Sequence, residues 1–160
     1  KWILSEFGLT MSKVEDSWGN VDIYNAAQAI KNFSTGVFPS HWLEMVKSRL
    51  YDGDEVASWT LHRIVRDILT SLSPICPFFT HYLSTTLYNQ SSVDVRKFPA
   101  IMPSDQELLK LTDSLIEFNS EVWKTKKDSG ISLNTEISGI IIPEELGILT
   151  TSLNRMHRII

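Results

Sequence analysis

Along the first eighty-odd residues apolar side chains recur every three or four positions, the period of a helix buried along one side. Ile3, Phe7, Met11, Val14 and Trp18 share one such face. "WGN" interrupts it, and Asp22 offers a side-chain oxygen to cap a second helix, whose apolar face runs from Ile23 through Ala26, Ala27, Ile30, Phe33 and Val37. Gly36 and Pro39 predict a kink, because proline lacks an amide proton and its ring crowds the preceding turn. Helix should resume through Trp42, Leu43, Val46 and Leu50. After the turn "YDGD", Asp54 caps a third helix with the clearest apolar set: Leu61, Ile64, Val65, Ile68, Leu69 and Leu72. His62, Arg63, Arg66 and Asp67 fall on its opposite side.

"LSPICPFFTHYL" then reads as a corner between helices. Ser73 has the chemistry of an N-cap and Pro74 that of a first helical residue, with Pro77 as a second possible start. Phe78, Tyr82, Leu83 and Leu87 are expected on the buried face of the fourth helix, with Cys76 as a small buried filler. "SSVDVRKFP" alternates as a short strand or extended crossing does. Pro99 and Pro103 frame a linker. A fifth helix starts near Ser104, with Leu108, Leu111, Leu115, Phe118 and Val122 on one face, and "KKDSG" closes it, Gly130 being available for a left-handed cap. "EISGIII" is the best strand candidate and "PEELGI" a short helix begun by proline. The fold class that follows is mainly α: an antiparallel helical bundle over 1–99, then a small helix–strand appendage over 100–160. "KWIL" has no capping residue ahead of it, so the chain is expected to have been cut from something larger.

Composition changes this picture little. The 160 residues include 42% hydrophobic and 21% charged side chains, the balance of an ordinary globular domain. No apolar run reaches the roughly 20 residues of a membrane span, and one cysteine allows no internal disulfide. A cytoplasmic setting is the default. A net charge of −4 argues against a generic nucleic-acid coat but leaves room for a local basic surface.

Catalytic chemistry is not legible. His41, His62, His81 and His157 have no metal-type spacing, and there is no Gly-rich phosphate loop. The acidic pairs Glu15–Asp16 and Glu144–Glu145 are adjacent in sequence, which on a helix points them about 100° apart. "TMSKV" shares letters with a nucleotide-binding loop, but Met11 and Val14 belong to a helical face. Neither a catalytic residue nor a metal ligand nor a cofactor is expected here.

The order and spacing of several segments resemble class Ia aminoacyl-tRNA synthetases. "KWILSEF" resembles the helix that opens their anticodon-binding domain. "YNAAQAIKNFSTGVFPSHWLEMVKSRLY" is similar to the long second helix of the valyl enzymes, with Trp42, Leu43, Glu44, Lys47, Arg49 and Leu50 matching and His41 in place of an acid. "LSPICPFFTHYL" resembles the family's Pro-aromatic corner, with His81 or Tyr82 where acids are common. "SSVDVRKFP" resembles its Ser-Ile-His segment, with Asp94 at the histidine. "VWKTKKDSGISLN" and "NRMHRI" are similar to the tail of archaeal-type valyl enzymes. The resemblance implies a non-catalytic domain that grips the anticodon stem and loop of valine tRNA, acting as a monomer away from membranes. Its parent would charge tRNA with valine using ATP and magnesium, and further anticodon contacts are implied upstream of Lys1.

Candidate tRNA contacts follow from charge and aromatic character within that frame. Lys47 and Arg49 sit at the positive end of the second helix, and Arg63 and Arg66 on the exposed side of the third. Lys124, Lys126 and Lys127 either complement their own helix C-terminus or meet RNA. Trp42 is a candidate for stacking on unpaired bases, with Trp59 and Trp18 behind it. The other reading open to the sequence is a helical adaptor that binds another protein through an exposed apolar groove.

Overall fold

The computed structural model describes residues 1–89, 92–93 and 96–160. Among the described residues eight α-helices carry the fold: α1 (Trp2–Gly19), α2 (Ile23–Thr35), α3 (Glu44–Tyr51), α4 (Glu55–Leu72), α5 (Pro77–Tyr88), α6 (Gln106–Leu109), α7 (Leu111–Asp128) and α8 (Thr150–His157). A π-helical segment, Phe38–Leu43, joins α2 to α3, and a 3₁₀ segment, Glu144–Leu149, leads into α8. The caps act where the sequence places them. Asp22 accepts from the Asn25 amide at 3.0 Å and Asp54 from the Ala57 amide at 2.9 Å. Each satisfies a backbone donor that the first turn leaves unpaired. The expected kink after α2 is the π-helical segment itself, which accommodates Pro39 near its start.

Packing follows the predicted faces. Ile3, Phe7, Met11 and Val14 of α1 are buried, as are Ala26, Ile30 and Phe33 of α2. Phe7, Phe33, Phe38 and Trp42 form a run of ring contacts with centroids 5.2–5.5 Å apart, tying α1, α2 and the π-helical segment together. Each such pair adds about 0.5–1.5 kcal/mol beyond area burial. Leu115, Phe118 and Val122 of α7 and Leu153 of α8 belong to the same core cluster as Trp2 and Ile64, so residues on both sides of position 99 share one core. The Trp2 indole donates to Thr112 Oγ1 at 2.9 Å, which in turn bonds Glu6.

Gly8 is required by close approach. A Cβ there would lie 2.3 Å from the Met102 carbonyl oxygen, a backbone atom that cannot swing aside. Gly8→Ala is therefore expected to destabilise the protein by roughly 1–3 kcal/mol, read as a lower urea midpoint. An unchanged midpoint would show that the 101–103 segment moves freely off α1.

Several expectations are corrected. Ser73 does not open a helix. It closes α4, its hydroxyl donating to the Thr70 carbonyl at 2.9 Å, and α5 begins at the second proline, Pro77. Cys76 is exposed, not buried. Phe78 is 91% exposed, and Tyr82 and Leu87 also face outward; the buried residues of α5 are Thr80 and Ser84. The period was right and the face wrong, since α5 meets α4 through its small side chains. Asp67, expected on the exposed side of α4, is buried and held by Arg63 Nε at 2.7 Å.

"EISGIII" forms no strand among the described residues. A single parallel bridge pairs Ile137 with Ile159, while Ile140 and Ile142 pack on the core. With no second extended segment alongside, its backbone cannot build a ladder. "PEELGI" forms the expected short helical turn after Pro143. The expected crossing at 91–99 includes Ser91, Asp94 and Val95, which lie outside the described residues.

Candidate nucleic-acid interface

α4 carries Arg63 and Arg66 on its outer side, and the structure turns that side into one wall of a cleft. Trp59, His62, Arg63 and Arg66 rise from α4, Leu87 and Tyr88 from the end of α5, and Arg96, Lys97 and Phe98 from the segment that follows. The cleft encloses about 800 Å³. Helix period explains the α4 side, because residues three and four apart lie one above another. Arg66 lies over the Tyr88 ring, its guanidinium carbon 4.4 Å from the centroid. The Tyr88 hydroxyl and His62 Nδ1 are 3.2 Å apart, with the rings edge to face. Burial raises the Tyr88 phenol above its ordinary pKa, with Arg66 opposing the shift, so it stays a neutral hydrogen-bonding group.

Charge is uneven here. Arg63 is neutralised by buried Asp67, while Arg66, Arg96 and Lys97 also line the cleft, on a chain whose net charge is −4. Trp59 is 56% exposed and Phe98 39%. Positive charge beside open aromatic faces is what single-stranded nucleic acid binds, phosphates pairing with the cations and bases stacking on the rings.

A second basic surface lies where α3 meets α8. Lys47, Tyr51, Arg155 and Arg158 line it with Glu44, whose carboxylate holds Lys47 Nζ at 3.0 Å and raises its pKa. Arg49, by contrast, is occupied. Its guanidinium grips Asp54 at 2.8 Å, the same carboxylate that caps α4. The Ala57 amide and then Arg49 hold that carboxyl below its ordinary range. Lys124 and Lys127 are exposed at the end of α7 around a largely apolar hollow with Trp123, Ile131 and Leu133.

Two sequence candidates are withdrawn. Trp42 is 7% exposed and stacked on Phe38, so no base can reach its face. Lys126 is fully buried, and its Nζ donates to the carbonyls of Leu133, Thr135 and His157 at 2.6–2.8 Å. Its ammonium is spent on the protein's own backbone. His41, at the position of the expected acid, is buried beside Asn119. Arg96, Lys97, Phe98 and Tyr88 were missed as site residues. "RKF" was visible as a basic–aromatic run, but only the fold sets it opposite α4.

Among the described residues these observations define a mainly helical domain with cations gathered beside open aromatic rings. The family profile described as the anticodon-binding domain of tRNA ligase matches residues 1–141, and the chain belongs to that family. It is similar to the valine–tRNA ligase of Nanoarchaeum equitans, 31% identical over 159 residues, covering 99% of this chain and 21% of that protein. It is also similar to that of Methanothrix thermoacetophila, 32% identical over 158 residues, covering 96% of this chain and 18% of the relative. With the Saccharolobus solfataricus enzyme the identity is 30% over 141 residues, covering 86% and 17%. The chain thus spans about a fifth of the length of these relatives. Membership of the family implies tRNA as a partner. No helix among the described residues is long and apolar enough to cross a membrane.

Proposed function

We propose that this chain binds the anticodon stem and loop of valine tRNA as the non-catalytic domain of a valine–tRNA ligase. The observation that carries the interface is the gathering of Arg66, Arg96 and Lys97 beside Trp59 and Phe98 in one cleft of a domain of this family. The valine assignment rests on the relatives, each a valine–tRNA ligase. On this reading the domain acts as a cytoplasmic monomer without a cofactor of its own, and ATP and magnesium serve the parent enzyme. Lys47, Arg155 and Arg158 supply a second phosphate contact, and Lys124 and Lys127, exposed at the end of α7, a further one.

Salt tests this directly. Each phosphate neutralised contributes a slope of roughly −0.7 to −0.9 in log affinity against log salt. Arg66→Ala with Lys97→Ala is expected to weaken binding of valine tRNA at low salt and to flatten the slope by roughly 1.5, measured by filter binding. An anticodon-swapped valine tRNA should bind less well. Unchanged affinity and slope in the double variant would remove the cleft from the interface.

One observation favours the adaptor reading. Phe78, Phe79 and Tyr82 are exposed on α5, and no Asp, Glu, Lys or Arg occurs from Ile68 to Val93. That reading requires RNA binding to be absent at low salt.

A further inference from the structure

We propose that the groove between α7 and residues 139–145 docks an extended segment of a separate protein, bearing lysine or arginine, that lies along residues 140–142 as a second strand. Three observations meet there. The first is a stretch of backbone without partners. Ile140 and Ile142 pack on the core while Ile141 between them is 87% exposed, the side-to-side alternation of an extended chain. Pro143 favours that conformation in the residue before it. The bridge from Ile137 to Ile159 ends before this stretch. Among the described residues, no amide or carbonyl of Ile140, Ile141 or Ile142 bonds to another part of the backbone. An open edge carrying branched side chains is what an incoming strand pairs with.

The second observation is the groove itself, which encloses about 330 Å³. Phe118 and Val122, one turn apart on α7, line it with Ile140. A strand laid along residues 140–142 would turn every second side chain toward that apolar lining. The third is charge. Glu117 and Glu121 stand one turn apart on the α7 side and Glu145 on the other, and all three are exposed. Among the described residues none of them makes an ion pair, and no lysine or arginine lines the groove. Like charges one turn apart oppose each other on a helix, and cations brought by a partner relieve that. The same carboxylates repel RNA phosphates, so this face does not extend the basic cleft. They also disfavour a second copy of this chain, which would set carboxylate against carboxylate. A charged rim suits a separate protein that binds and leaves, because permanent interfaces are more apolar.

The test adds a labelled short synthetic peptide, alternating lysine and valine, to the whole chain at low salt and reads fluorescence anisotropy. A peptide alternating glutamate and valine is the control. The lysine peptide should bind and the glutamate peptide should not. At saturation the amides of residues 140–142 should exchange their hydrogens more slowly, as read by NMR. Glu117→Gln with Glu121→Gln, both on the solvent side of α7, is expected to weaken the lysine peptide roughly 2- to 30-fold and to leave valine tRNA binding undiminished. Ile141→Ser, at an exposed site that leaves the core intact, should also weaken the peptide. The docking groove is refuted if the chain ignores the lysine peptide, or if both variants bind it as tightly as the parent chain. Slowed exchange only at other positions would refute it too. If the glutamine variant instead weakens tRNA, the groove belongs to an RNA surface and the proposal falls. A chain that binds the peptide but no tRNA would keep the groove and lose the tRNA-binding reading.

Discussion

Lys126→Met is expected to lower the stability of this protein by about 3 kcal/mol. The change keeps the length of the side chain and removes the three donors that meet the carbonyls of Leu133, Thr135 and His157. Two effects oppose each other. Removing a buried ammonium recovers its desolvation cost, and burial, with Arg158 nearby, already pushes that ammonium below the ordinary lysine range. Against this, each carbonyl left without a donor costs about 1–3 kcal/mol, less where water can replace it. Leu133 and Thr135 are exposed residues, whereas His157 is buried, so the His157 carbonyl dominates. For a chain of this size the loss corresponds to a fall in Tm of roughly 6–12 °C, measurable by thermal circular dichroism. Limited proteolysis should also begin to cut within 131–137, since Lys126 ties that loop and α8 to the end of α7. A fall of less than 2 °C with no new cleavage would show that water supplies what Lys126 now does.

Acid should unfold the protein through a neighbouring group. His157 is buried against Phe118 and Trp123, and its Nε2 lies 2.7 Å from Asn119 Oδ1. Asn119 Nδ2 in turn lies 2.8 Å from His41 Nδ1. Asn119 Oδ1 accepts a hydrogen bond from His157 Nε2 and Asn119 Nδ2 donates one to His41 Nδ1, which keeps that His41 nitrogen unprotonated. Burial first, then the charge of Lys126 and the proximity of His41, lowers the pKa of His157 to about 4. Burial lowers that of His41 as well. The unfolded chain takes up these protons near the ordinary value of 6.5 and the folded chain does so only lower down. Between the two the unfolded state binds more protons, so stability is fully present above pH 6.5 and is lost as pH falls towards 4. The His157 contribution to that loss is about 3 kcal/mol. Urea midpoints at pH 7, 5.5 and 4 should fall accordingly. His157→Gln keeps a donor for Asn119 and should flatten the profile; an equally steep profile in that variant would assign the acid sensitivity to the carboxylates instead.

Much of the fold was legible because it is written locally. The faces of α1, α2, α4 and α7 depend on residues three and four apart, and the Asp22 and Asp54 caps on residues three apart, so sequence neighbours suffice to predict them. The family resemblance was legible for a related reason: its motifs sit at helix corners and packing faces, where spacing is constrained. Which face of a weakly patterned helix turns inward is a different matter. α5 has apolar residues on several sides, and docking against α4 through Thr80 and Ser84 left Phe78 and Tyr82 outside.

The same division runs through the candidate site. The sequence by itself determined a mainly helical bundle of this family and marked Arg63 and Arg66 as exposed candidates on one helix, with Trp59 named only as a ring that could stack. Tertiary structure decided which cations remain available, because that depends on partners far along the chain. Lys126 is spent on a carbonyl 31 residues away and Trp42 on the aromatic core. Arg96, Lys97 and Phe98 gain significance only by lying opposite α4. A charge or ring binds a ligand only if the fold has not already satisfied it, and periodicity does not record those long-range contacts.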